Sequence, residues 1–161
     1  MKLRLYHVDT FTRKIFRGNP PAICPLDSFL PTETMQSIAF ENNPPVTAFI
    51  VKCDGQYHIR WFTPSCELSL CGHATLAAAF IILNYYDTHA EDIQLQSKSG
   101  LLSVVKLKNG KIKLIFPIIN VDAIEPDPKI VDALGAKPIA MYRSTQDYLT
   151  IYTRGVSVFV F

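Results

Sequence analysis

The chain has 161 residues, 48% apolar and 19% charged, the composition of a folded protein rather than a disordered one. At this length roughly 70% of the unfolded chain's surface can be buried, enough for a real core. Lys and Arg exceed Asp and Glu by only +2 and are scattered, which argues against nucleic acid as a partner.

The start, Met1-Lys2-Leu3-Arg4, meets charge at once and builds no apolar leader. The longest apolar run, Ala74 to Leu83, is about half of a membrane span. Four cysteines, Cys24, Cys53, Cys66 and Cys71, stand in a chain that needs no disulfide staple. These features predict a soluble, cytoplasmic protein with reduced thiols and no membrane contact.

Met1 to Asp9 reads as a strand, and Gly18-Asn19-Pro20-Pro21 as a turn before a short strand, Ala22 to Cys24. Met35, Ile38 and Ala39 recur at helical spacing within Thr32 to Glu41. Asp54-Gly55 joins Thr47–Lys52 to Gln56–Phe62 as a hairpin, and Asn109-Gly110 turns a second one, Leu101–Phe116. Lysines 106, 108, 111 and 113 mark a solvated face of the second.

Between the hairpins, Cys71 to Leu83 predicts a helix that is apolar on every side and therefore wrapped by protein on every side. The predicted fold is α+β: a strongly curved, mostly antiparallel sheet around this central helix. Pro117, Pro126 and Pro128 then punctuate a linker. A short helix, Ile130–Leu134, and strands Ile139–Arg143 and Tyr148–Tyr152 follow before the apolar end Gly155–Phe161. A boundary near residue 120 separates a domain, 1–120, from a linker and the start of a second unit, 121–161.

No G-x-G-x-x-G, Walker-type loop or G-x-S-x-G is present. The start of the central helix is the best candidate site. Its free N–H groups and dipole form a receptor for a carboxylate. Gly72 permits close approach, His73 can exchange a proton near neutral pH, Thr75 offers a hydroxyl, and Cys71 is placed for a depressed thiol pKa. A packed cysteine and a structurally satisfied histidine are the plainer reading. Cys66, Cys71 and His73 lack a fourth partner for zinc, so no metal is expected.

Taken in order, several segments resemble the phenazine-biosynthesis PhzF-like family, related in fold to diaminopimelate epimerase. They are Val8-Asp9-Thr10-Phe11-Thr12, Gly18-Asn19-Pro20, Met35-Gln36-Ser37-Ile38-Ala39, Thr47-Ala48-Phe49, Arg60-Trp61-Phe62-Thr63-Pro64 and Leu70-Cys71-Gly72-His73-Ala74-Thr75. The resemblance runs from residue 1 to about residue 150 and matches the family's amino-terminal half. It implies two similar domains with a cleft between them and a cofactor-independent isomerase that moves a proton and a double bond on a small carboxylated metabolite. It also implies substrate contacts at Gly72, His73, Ala74, Thr75 and Asn19, with His73 or Cys71 as further acid or base.

Two departures stand out. Where the family carries a proton-shuttling glutamate in Asn-Leu-Ser-Glu-Thr-Ala-Phe, this chain has Asn43-Pro44-Pro45-Val46-Thr47-Ala48-Phe49. Val46 cannot transfer a proton, so no catalytic residue is assigned there and activity is expected to be impaired. Family members are also nearly twice as long, and the loop from their second half that faces the helix has no counterpart here. The chain therefore reads as truncated and marginally stable, cut readily by protease after about residue 125. The alternatives are a gene remnant, an epimerase using Cys71 as base, and a non-catalytic module covered by a homodimer or a missing-domain partner.

Overall fold

The computed structural model describes residues 1–145 and 147–153. The apolar end, Gly155–Phe161, lies outside the described residues. The chain divides into two compact units, the first spanning Met1–Pro117 and the second beginning at Ile118.

The first unit is one curved sheet and two helices. Its strands are β1 (Tyr6–His7), β2 (Ala22–Leu26), β3 (Thr47–Cys53), β4 (Gln56–Phe62), β5 (Glu67–Leu68), β6 (Asp92–Ser97), β7 (Gly100–Lys106) and β8 (Ile112–Ile115). The sheet runs β1-β2-β3-β4-β6-β7-β8, with β5 attached to β4. Pairings are antiparallel except β2 with β3 and β4 with β6. The predicted α+β, mostly antiparallel layout is the one the chain adopts.

Both hairpins form at the expected turns. Asp54 and Gly55 take φ of 50° and 79°, the left-handed pair that a two-residue turn between twisted strands requires. Helix α1 (Thr32–Asn42) covers one sheet face, where Met35 and Ala39 pack with Cys24, Phe49 and Phe62. Asn43 closes it in the left-handed conformation and donates to the Ala39 carbonyl.

Helix α2 (Gly72–Ile81) occupies the other, concave face and packs against β2, β3 and β8. Its alanines 74, 77, 78 and 79 are all fully buried, letting the strands approach closely. The chain then widens into a π-helical turn, Ile82–Tyr86, three residues beyond the predicted end. The helix is not enclosed on every side. Phe80 is 42% exposed and Leu76 is partly exposed, because β1 and β8 are the ends of the sheet path and leave this flank open. A groove of about 650 Å³ lies there, between Val8–Arg13, the helix and the Asn109–Ile112 turn.

The first strand is also shorter than predicted. Only Tyr6 and His7 pair, with Ile23 and Ala22. Continuing that register would set Arg4 against Pro25, which has no N–H, and Pro20 and Pro21 interrupt the ladder on the other side. Pairing resumes at a single bridge, Thr10 with Asn19. Gly18 is required beside it: a Cβ there would stand 2.3 Å from the Thr10 carbonyl oxygen.

The second unit is a three-stranded antiparallel sheet, β9 (Asp122–Ile124), β10 (Ala140–Arg143) and β11 (Tyr148–Ile151), with helix α3 (Pro128–Leu134). Strand β9 falls inside the stretch read as linker, where proline spacing masked a three-residue edge strand. The short helix starts two residues earlier than predicted, with Pro128 in the first turn, Asp127 capping the Lys129 N–H at 2.9 Å and Gly135 ending it at φ 71°. Every residue of this helix is at least partly exposed, and Pro138 and Met141 are the buried residues among those described in this unit.

Candidate functional site

Cys71 stands at the N-cap of α2 in an extended conformation, with no side-chain capping bond to the helix. The first N–H groups of the helix therefore depend on other partners. Inside the first turn, Thr75 is fully buried and its hydroxyl donates to the Cys71 carbonyl at 2.6 Å. That bond commits the Thr75 side chain to bracing the helix rather than facing a ligand.

The Cys71 Sγ lies 3.5 Å from His73 Nδ1. Burial pushes the Cys71 thiol up from its ordinary value, and the N–H groups of Ala74 and His73 only partly oppose it. The expected depression of this thiol is thus reversed: at 7% exposure, desolvation outweighs the helix end. Burial also pulls His73 below its ordinary value, so its imidazole is neutral at pH 7. His73 Nε2 is buried with no hydrogen-bond partner among the described residues.

Gly72 is partly exposed, and an added Cβ would meet only the Phe116 ring at 3.6 Å, an ordinary contact. Packing alone does not demand glycine there. Ala74 is fully buried. Asn19 is exposed on the loop before β2, its backbone paired with Thr10 at 3.1 and 3.2 Å.

Val46 precedes β3, is 5% exposed, and accepts the Ala22 N–H at 2.9 Å. It belongs to the apolar cluster that contains Cys71 and Ala74. Position 46 is therefore on the concave, helix-facing side of the sheet. Thr47, one residue on, turns the opposite way and is buried with its hydroxyl unpartnered.

The sequence reading missed the residues that anchor the segment entering α2. Arg60 on β4 bonds both carboxylate oxygens of Glu67 at 2.7 and 2.8 Å, and Lys98 reaches Glu67 at 2.6 Å. Ser99 donates to the Ser69 carbonyl at 2.8 Å. The signal available was an arginine directly before two aromatic residues in a strand, Arg60-Trp61-Phe62, which asks for an acidic partner.

All four cysteines are free thiols. Among the described residues no group of three or more His, Cys, Asp or Glu side chains is placed to hold a metal, and no helix is long and apolar enough to cross a membrane.

Uncharacterized isomerase PA2770 of Pseudomonas aeruginosa is 39% identical over 151 residues, covering 94% of this chain and 58% of its own length. The crystal structure of a phenazine biosynthesis protein of the PhzF family from Enterococcus faecalis superposes with a TM-score of 0.82 at 41% identity, over 96% of this chain and 59% of that one. A predicted epimerase of Pseudomonas aeruginosa, PA4716, shares the fold at 21% identity, with a TM-score of 0.67 over 84% of this chain and 51% of its own. The chain thus spans rather more than half the length of the relatives it matches. The family model for phenazine biosynthesis-like proteins matches residues 8–145, and the chain belongs to that PhzC-PhzF family of isomerase-like proteins.

Proposed function

We propose that this chain carries the helix-end half of an isomerase-type site for a small carboxylated metabolite, with proton transfer absent or strongly slowed. The single observation behind this reading is Val46. It packs in the same buried cluster as Cys71 and Ala74, so the position where the family resemblance expects glutamate lies on the helix-facing side of the sheet but holds no acid. General acid–base catalysis typically contributes ~10²–10⁴-fold, the scale of the expected loss.

Support for carboxylate binding is local. Helix α2 has no side-chain cap, Gly72 leaves room at its first turn, and His73 keeps one ring nitrogen unpartnered. A carboxylate there would accept from the helix N–H groups and gain from the dipole. Ala74 would contribute through its backbone N–H, whereas the Thr75 hydroxyl and N–H both already donate to the Cys71 carbonyl.

The test is to titrate the 161-residue chain with anthranilate while following the Gly72 and His73 amides by NMR, and to assay a dihydro-hydroxyanthranilate for double-bond migration. Saturable shifts at those amides without turnover support the reading. Turnover matching that of a glutamate-bearing relative overturns it.

A second reading makes Cys71 the base, favoured by its 3.5 Å approach to His73. The upward shift of the thiol works against it, since a base must be ionised to accept a proton. An alkylation rate for Cys71 that rises through a midpoint below 8 and is lost in Cys71→Ser would favour this second reading.

A further inference from the structure

The loop between β1 and β2 presents its apolar side chains to solvent. Its neck is closed by the Thr10–Asn19 bridge. Within it, Asp9 accepts the Phe16 N–H at 2.8 Å, and the Thr12 hydroxyl accepts the Lys14 N–H at 3.0 Å. Phe11 and Phe16 both stand at φ 61°, a left-handed conformation unfavourable for a bulky residue. Their rings gain little burial in return, at 75% and 89% exposed, and Ile15 is as open as Phe11. A cavity of about 320 Å³ continues this apolar surface from Ile15 to Phe80 and Tyr85. Arg13, Lys14 and Arg17 stand among these side chains, all exposed and, among the described residues, without an ion pair.

The same chain carries a surface of opposite charge. The segment that runs through β9 exposes Ile118, at 94%, together with Ile119 and Val121. Asp122 and Glu125 are interleaved with them, exposed and likewise without an ion pair among the described residues. Strand β9 is at the edge of its sheet, so one side of this backbone is unpaired by strands. Apolar side chains flanked by cations on one surface match apolar side chains flanked by carboxylates on the other.

We infer that the Phe11–Arg17 loop of one copy docks on the Ile118–Glu125 segment of a second copy, and that a two-fold dimer makes this contact twice. The occupant is a second copy because the complementary surface is on the chain itself. In a closed two-fold pair each chain offers its loop and receives the loop of the other. The apolar side chains supply the attraction, while the charges set register and choice of partner. A small contact rimmed by exposed charge gives weak association, in the micromolar range. This inference is independent of the proposed carboxylate site.

Sedimentation velocity of the full chain tests it. The expected result is a monomer–dimer equilibrium whose Kd rises about tenfold or more from low to high salt. Lys14→Glu with Arg17→Glu reverses the loop. Asp122→Asn with Glu125→Lys alters the segment, asparagine being chosen because Arg143 stands opposite Asp122 in the ladder. All four side chains are exposed, so both variants are expected to melt as the parent does. Each variant alone is expected to raise Kd about tenfold or more, since both contacts of its dimer then oppose like charges. Mixed together, the two are expected to form a heterodimer within about threefold of the parent Kd. One contact then joins the two altered surfaces and the other joins the two unaltered ones.

A chain that stays monomeric at submillimolar concentration overturns the inference. A dimer indifferent to salt and to both variants sinks it as well, since the interface would lie on another face. Weakening in each variant with no recovery on mixing also refutes it, and assigns these charges to contacts within one chain.

Discussion

The Arg60 guanidinium grips both oxygens of Glu67, Nε at 2.7 Å from Oε1 and Nη2 at 2.8 Å from Oε2. The same guanidinium lies over the Phe62 ring at 5.2 Å and donates to Thr32 at 3.0 Å, so one side chain joins β4, β5 and α1. Bidentate pairs of this geometry are among the stronger polar contacts in proteins.

The first prediction is a pH dependence. Hydrogen bonding by Arg60, and then by Lys98, holds the Glu67 carboxyl at about 2 against an ordinary 4.5. A carboxyl depressed on folding contributes stability that is complete above about 4.5 and is lost as pH falls through about 2. Glu67→Gln is expected to cost about 1.5–3 kcal/mol at pH 7 and almost nothing near pH 2. Urea unfolding at pH 7, 4 and 2 checks it, and an equal deficit at all three values would refute the assignment.

His73 gives a second, opposite test of charge. Burial lowers its pKa, so folding favours the neutral ring, and the stability this supplies above 6.5 is lost as pH falls through the depressed folded value. The imidazole titration by NMR is expected to have its midpoint below 6.5. Saturating anthranilate should raise that midpoint, since a bound carboxylate favours imidazolium. A midpoint that ignores the ligand would separate His73 from the proposed site.

Much of this architecture is written in local chemistry. Asp54-Gly55 and Asn109-Gly110 specify their hairpins because only a few residues tolerate φ above zero, and the alanine run of α2 announces a helix meant for close packing. What was not legible depends on neighbours distant in the chain. The truncation of β1 follows from Pro25 opposing it, β9 from pairing with Tyr142 and Met141, and the open flank of α2 from where the sheet ends. At the site, the identity of Gly72, His73 and Cys71 was readable from the helix start. The direction of their pKa shifts was not, because that is decided by burial and not by sequence position. Thr75 misled for a related reason: a hydroxyl at a helix start suggests a ligand contact, but here it bonds back to Cys71.

Two glycines should respond in opposite ways to alanine. Gly18→Ala places a Cβ 2.3 Å from the Thr10 carbonyl oxygen and 2.8 Å from the Thr12 methyl, and is expected to cost about 1–3 kcal/mol by overpacking. Gly72→Ala meets only Phe116 at 3.6 Å and removes a glycine from a helix, so stability should hold or rise by up to about 1 kcal/mol. Anthranilate binding should nevertheless weaken in Gly72→Ala. Thermal melts and the NMR titration together read both effects; Gly72→Ala binding as well as the parent would place the ligand elsewhere.

Placing an acid at position 46, where the family resemblance expects glutamate, is the most direct experiment on chemistry. Val46→Glu sets a carboxyl into a cluster with Ile23, Ala48, Cys71 and Ala74, where desolvation raises its pKa and penalises the ionised form. The variant is expected to lose about 2–4 kcal/mol at pH 7, and to recover part of that loss as pH falls and the carboxyl is neutralised. Val46→Gln, which carries no titratable proton, should show no such recovery and so isolates the charge. If position 46 faces the reacting carbon, incubation with dihydro-hydroxyanthranilate in D₂O should show deuterium entering the substrate faster with Val46→Glu than with either the parent or Val46→Gln, by up to ~10²-fold. Equal exchange in all three chains, with anthranilate still bound at Gly72, would mean that the acid alone does not make the proposed site competent. Proton transfer would then require residues beyond those of the first unit.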